Sequence, residues 1–149
     1  MTSSPFTISA AARVSAPPRR VYDMIADYRN GHPRIIPPKY FKSLDVEEGG
    51  FGAGTVIRFT MRVLGSERTA RARITEPDPG RVLVETELST GLVTTFTVAP
   101  AGDSASDVTI ETRVPAVPGV RGAVERWVAK AMLPRIYRDE LALLASQVE

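Results

Sequence analysis

The stretch Asp107-Val-Thr-Ile-Glu-Thr-Arg-Val114, followed after two prolines by Val120…Val124…Trp127/Val128…Ala131 and Tyr137…Leu141…Leu144…Val148, decides how this chain is read. Up to Val114 the apolar residues recur every second position, so Val108, Ile110, Thr112 and Val114 share one face of a strand. Beyond it they recur at three and four residues, which is the spacing of one face of a helix. A last strand therefore hands over to a long amphipathic C-terminal helix. Pro134 falls inside that helix, where it removes a backbone donor and crowds the preceding turn. A kink or break is expected there, and two consecutive helices with Pro134 in the first turn of the second are the alternative.

Working back from Asp107, strand-like runs occur at 92–98, 82–87, 66–75, 55–63 and 41–46. They are divided by Gly, Pro and Asp turns, including Leu64-Gly65, Pro77-Asp-Pro-Gly80 and Ala101-Gly102-Asp103. Connections this short join antiparallel neighbours. In the run 55–63, Thr55, Ile57, Phe59, Met61 and Val63 point one way and Arg58 and Arg62 the other. That alternation suits a sheet with one covered and one wet face. At the N-terminus, Phe6, Ile8, Ala10, Ala12 and Val14 mark a first strand. Ala16-Pro-Pro18 then starts a helix carrying Val21, Ile25 and Tyr28, and Asn30-Gly31 ends it. His32-Pro33 to Pro37-Pro38 reads as a short second helix or an irregular turn. The order is α+β: one strand, two short helices, six strands and a long helix.

Composition narrows the function. The chain has 149 residues with 43% hydrophobic and 24% charged side chains, the proportions of a globular domain, and it is read as one domain over 1–149. It has no cysteine, which removes disulfides, thiol nucleophiles and cysteine metal sites. The N-terminal residues Met1 to Ala10 lack the basic and apolar blocks of a secretory leader, and no stretch approaches a membrane span, so a cytoplasmic protein is expected. Residues 1–75 carry 12 Lys+Arg against 6 Asp+Glu. Arg68, Arg71 and Arg73 nonetheless read as a solvated sheet face beside small residues, and no nucleic-acid partner is expected.

The order of elements resembles the START-like/Bet v 1-like (SRPBCC) superfamily, and within it bacterial polyketide cyclase/dehydrase-like proteins. The resemblance spans 6–148 and rests on Ala26-Asp-Tyr-Arg-Asn, the His32-Pro33…Pro37-Pro38 turn, Glu47-Glu-Gly-Gly-Phe-Gly-Ala-Gly54-Thr, Thr75-Glu-Pro-Asp-Pro-Gly80-Arg and Ile136-Tyr-Arg-Asp-Glu-Leu141. It implies a helix-grip fold, a curved antiparallel sheet of about seven strands wrapped around the C-terminal helix, with an apolar cavity between them. Such cavities hold lipids, polyketides or other small hydrophobic molecules.

Binding of a small hydrophobic ligand is therefore the leading expectation, with no metal or organic cofactor. Ile57, Phe59, Met61, Ala72, Phe96 and Ile110 on the strands and Val124, Trp127 and Met132 on the helix are the expected lining. A polyketide cyclase/dehydrase-type enzyme working by general acid–base catalysis is the alternative. The resemblance implies a few polar groups that polarise carbonyls, for which Tyr40, Arg58, Arg68, Arg71 and Glu85 are candidates. His32, the only histidine, is a further acid–base candidate. A protein-interaction module is a third reading. Gly50-Phe-Gly-Ala-Gly54 leads into a strand rather than a helix, so it reads as a tight connection and not a phosphate loop. The charges Glu125, Arg126, Lys130, Arg138, Asp139 and Glu140 are read as the solvated face of the last helix. Monomer and homodimer both remain open.

Overall fold

A computed structural model describes residues 4–149 of the chain. Met1 to Ser3, part of the N-terminal stretch read as lacking a leader, lie outside the described residues. The strands are β1 (Phe6–Val14), β2 (Phe41–Glu48), β3 (Val56–Val63), β4 (Ser66–Asp78), β5 (Val82–Glu87), β6 (Val93–Pro100) and β7 (Ser106–Val114). Two α-helices, α1 (Pro18–Ala26) and α2 (Gly119–Val148), complete the fold with a three-residue 3-10 turn, His32–Arg34.

All neighbouring strands are antiparallel, in the order β1-β7-β6-β5-β4-β3-β2. The meander β2 to β7 is the pattern its short turns predict. At Leu64-Gly65 both residues have positive φ, 52° and 78°, which is the turn whose twist matches two paired strands. Register shifts in β2 and between Thr75 and Asp78 insert extra residues and bend the sheet. The result is the helix-grip fold, with α2 against the concave face.

Strand pairing defines that face. Ile57 lies opposite Ala72, Phe59 opposite Ala70 and Met61 opposite Arg68, so these six side chains point the same way. The row continues through Ile74 and Glu85, Leu83 and Phe96, and Phe96 and Ile110. Ile74, Leu83, Phe96, Val98, Val108 and Ile110 are buried, and they meet Val21, Ile25 and Ile35 from the helical side and Ile136, Leu141, Leu144 and Val148 from α2. Burying a side chain of this size contributes about 1.5–3 kcal/mol, so this cluster is the main source of stability.

Four sequence expectations change. The first helix ends at Ala26, not at Asn30-Gly31, because Asp27 turns the chain: its Oδ1 accepts the N–H groups of Arg29 and Asn30 at 3.1 and 3.0 Å. Tyr28 thus lies beyond the helix, though buried as expected. The second short helix is only the 3-10 turn. At Pro134, α2 runs through without a break, which removes the two-helix alternative. Finally, the stripe Val120…Val124…Trp127 does not cover the sheet: these residues are 82%, 56% and 68% exposed. The part of α2 that is sunk into the molecule is its C-terminal half, from Ile136 to Val148.

Candidate functional site

The polar residues of the concave face converge on one region. The turn set by Asp27 carries it: His32 N–H donates to the Asp27 carbonyl at 2.7 Å, and a Cβ at Gly31 would collide with the Met24 carbonyl, so only glycine permits this close reversal. The turn swings His32 inward, where its ring stacks on Tyr28 at 4.4 Å and meets the edge of Phe96 at 5.6 Å. Nδ1–H donates to the Ile25 carbonyl at 2.8 Å, since a carbonyl only accepts. Nε2 is left facing two carboxyls, Glu85 Oε1 at 3.9 Å and Glu140 Oε1 at 3.8 Å.

These groups sit out of water, and burial sets their protonation. It lowers the His32 pKa to about 4, against which the bond to Ile25 acts weakly. It raises Glu85 to about 8, with the charge of Glu87 adding to the effect. Glu140 is raised in the same direction, by burial first and by Glu85 second. At neutral pH the histidine is therefore a neutral base-side acceptor, and Glu85 is a carboxylic acid able to donate. The Tyr28 hydroxyl is pushed well above its ordinary value by burial and then by Glu85 and Glu140. It is buried without any hydrogen-bond partner among the described residues.

Two further sets border this group. Tyr137 of α2 hydrogen-bonds Thr112, which in turn bonds Thr94 at 2.8 Å. Arg68 holds Glu87 with two parallel bonds of 2.8 Å, and Thr90 donates to the same carboxylate at 3.0 Å. Glu87 is 3% exposed, so its charge is balanced at short range by a guanidinium whose own side chain is half open to solvent.

The sequence candidates divide accordingly. His32 and Glu85 are brought together. Arg71 is not with them, because it lies on the outer face and binds Glu47 at 2.6 Å. Arg58, its cross-strand partner, shares that outer face. Tyr40 is buried in the turn entering β2, the edge strand three places from β5. Arg68 corrects the reading of a solvated face: residues 68 and 71 differ in parity, so they lie on opposite sides of β4. Glu140 corrects the reading of a solvated helix face, being 3% exposed. Its spacing from Tyr137 and Leu144 places it inside the apolar stripe, a signal present in the sequence. Glu87 was likewise legible, two residues from Glu85 on the same face as Leu83.

Of the expected lining, Ile57, Ala72, Phe96 and Ile110 are fully buried and Phe59, Met61 and Met132 partly so. Val124 and Trp127 stand on open surface instead. Phe41, Leu44, Phe59, Met61 and Val63 form a continuous half-buried apolar wall on β2 and β3. α2 makes its backbone contacts with β1, on the opposite edge of the sheet, and this wall packs against the core while keeping part of its surface open. Surface grooves of about 540 and 430 Å³ lie elsewhere, the first along α1 and the second on the outer side of β3 and β4. The loop Gly50–Gly54 is tied to the end of α1 and to the backbone of Tyr28, by Tyr28 N–H to the Gly50 carbonyl and Gly52 N–H to the Ala26 carbonyl. Among the described residues no helix is long and apolar enough to cross a membrane.

Comparison with known proteins agrees with this geometry. The model of a family described as polyketide cyclase / dehydrase and lipid transport matches residues 5–149. No curated protein matches the sequence. Among solved structures, the chain is similar to the KanY protein, with TM-score 0.84 and 29% identity over 97% of this chain and 98% of that one. It also shares its fold with the Zhui aromatase/cyclase from Streptomyces sp. R1128, at TM-score 0.81 and 18% identity over 97% and 93%. A START superfamily protein from Mycobacterium smegmatis matches at TM-score 0.73 and 15% identity over 95% and 96%.

Proposed function

The chain belongs to the polyketide cyclase/dehydrase and lipid transport family, and from that premise we propose that it holds a small hydrophobic molecule between its concave sheet face and α2, residues 1–149 acting as one binding domain. The observation that carries this reading is the partly open apolar wall of Phe41, Leu44, Phe59, Met61 and Val63. Apolar area left open to water on a concave surface is stabilised by covering it, at about 25 cal/mol per Å². The wall continues along β4 and β5 to Arg68 and Glu85, so a ligand lying on it would present one end to polar groups.

The test is native mass spectrometry of gently purified protein, with solvent extraction of any adduct. A stoichiometric hydrophobic adduct, lost in Met61→Glu with the fold retained by circular dichroism, is the expected result. Met61 is half-buried, so a carboxylate there reaches solvent without unfolding the sheet. An apo mass, together with no response to a panel of lipids and aromatic polyketides, would refute the reading.

A second reading, enzymatic proton transfer, is favoured by one specific observation. Glu85 is a carboxyl raised to about 8 that retains some contact with solvent. An acid poised near neutrality can protonate a carbonyl oxygen or, once ionised, take a proton from the carbon beside it. Exchange of the α-protons of a β-diketone for deuterium, followed by NMR, measures this directly. Catalysed exchange lost in Glu85→Gln supports the reading; exchange at the buffer rate removes it.

A further inference from the structure

The inward-facing acids of the concave face outnumber its cations: β4 supplies Arg68 together with Glu76, which accepts from the Tyr22 hydroxyl, and β5 and α2 supply Glu85, Glu87 and Glu140. Arg68 is committed to Glu87 through both oxygens. His32 cannot serve as the missing cation: its Nδ1–H is committed to Ile25, and it is buried to 2% exposure against the face of Tyr28. Glu85 and Glu140 thus share the neighbourhood of one neutral ring, without a positive partner.

A second, independent feature points into the same place. Tyr28 is 1% exposed, and its buried hydroxyl makes no hydrogen bond among the described residues, although buried hydroxyls are ordinarily paired. Its ring lies parallel to that of His32, and the charges that act on it most strongly are those of Glu85 and Glu140. The surroundings are aromatic as well: Tyr28 stacks on His32, Phe96 meets the same ring edge-on, and the Tyr137 hydroxyl bonds Thr112 nearby.

Resting on the binding reading above, we infer that the polar end of the ligand is a protonated amine, received between the carboxyls of Glu85 and Glu140 with the Tyr28 hydroxyl as an additional acceptor. An ammonium group supplies what the cluster lacks, a cation with several donors, and aromatic rings favour its approach. A carboxylate-ended lipid would meet three acids and a single occupied arginine. Glu85, with 16% of its side chain open, is the entry point, with β4 between it and the apolar wall that would hold the body of the molecule.

Binding of this kind is coupled to proton release. The titratable and charged groups around Glu85 are Glu87 and Arg68 from β5 and β4, Glu140 and Tyr137 from α2 with Glu125 beyond them near Arg68, His32 from the 3-10 turn, and Tyr28. Below about pH 8 Glu85 is protonated and must lose its proton to pair with an ammonium. Amine affinity then rises with pH toward 8, by up to about tenfold per unit for each acid that must ionise, while a neutral ligand shows no slope.

The experiment compares three molecules sharing one body, 1-naphthylmethylamine, 1-naphthalenemethanol and 1-naphthoate, by isothermal titration calorimetry. At pH 8 the amine is expected to bind at least tenfold more tightly than the alcohol and the carboxylate more weakly than either. Glu85→Gln and Glu140→Gln, which keep the side-chain shape, should bring the amine down to the level of the alcohol. Titration of the unaltered protein in two buffers of different ionisation enthalpy should show proton release with the amine only. An alcohol or carboxylate that binds as well as the amine, or an amine unaffected by both substitutions, overturns the inference and leaves the binding reading intact. If none of the three binds, that reading fails with it.

Discussion

The two halves of α2 are built from similar residues and behave differently. From Ile136 to Val148, the apolar stripe is sunk into the core against Val108, Ile110 and the helical side. From Gly119 to Ala131, an equally apolar stripe of Val120, Val124 and Trp127 faces solvent. A helical period shows that one face is apolar; whether anything lies opposite it depends on where the sheet curves. The same contrast divides the sheet, whose β5–β7 portion is filled by helical side chains while β2 and β3 keep a wall that is only partly buried.

The sharpest way to break this comparison is to truncate one residue on each half. Leu144→Ala, at a site 1% exposed, is expected to cost about 2–5 kcal/mol in urea unfolding, the transfer loss plus a cavity. A value under 1 kcal/mol would mean that the C-terminal half is not the filled one. Next in size is Arg68→Ala, which strands the buried Glu87 carboxylate. A fully buried broken pair costs 3–5 kcal/mol, but Arg68 is half exposed and water can reach its place, so about 1–3 kcal/mol is expected. The double variant Arg68→Ala/Glu87→Gln should recover part of the loss, and no recovery would show that the carboxylate charge is not the cause.

Similar in size is the pH dependence. Glu85 is raised from 4.5 to about 8, so between those values the folded state holds a proton that the unfolded chain has released, and stability falls as pH rises. Glu140 acts in the same direction. His32, lowered from 6.5 to about 4, acts oppositely between those values, because there the unfolded chain holds the extra proton. The unfolding free energy from urea titration should therefore drop most steeply from pH 6.5 to 8, by up to about 1.4 kcal/mol per unit for Glu85. Glu85→Gln should flatten that slope, and an unchanged slope would contradict the assignment. The smallest effect belongs to the other half of α2: Trp127→Ala should change stability by no more than about 0.5 kcal/mol, and a larger loss measured by urea unfolding would show that this face is covered.

The strands were legible because alternation and turn chemistry are local, so β1 and β5 carry their sequence-expected limits, Phe6 to Val14 and Val82 to Glu87, and the others differ by a few residues at their ends. Part of the site was legible as well. His32 and Glu85 stand out as the lone histidine and an acid on a strand. Arg68, Glu87 and Glu140 were within reach through parity and helical spacing. Charged side chains on regular elements are ordinarily solvated, and that expectation outweighed the phase of the pattern. Tyr28 was identified as apolar-face material, while its orphaned hydroxyl is visible only when every neighbour is in place.

The sequence by itself determined the antiparallel meander, the long closing helix and which face of each element is apolar, since all three follow from the spacing of residues along one segment. Only the tertiary structure decided which half of α2 is buried, that β2 and β3 keep a partly open wall, and that Glu85, Glu140, His32 and Tyr28 meet. Those four come from β5, α2, the 3-10 turn and the bend after α1, and their meeting depends on the curvature of the sheet and the path of Asp27 to His32. Their protonation follows from that meeting, because burial and mutual charge are properties of the assembled neighbourhood and not of any one segment.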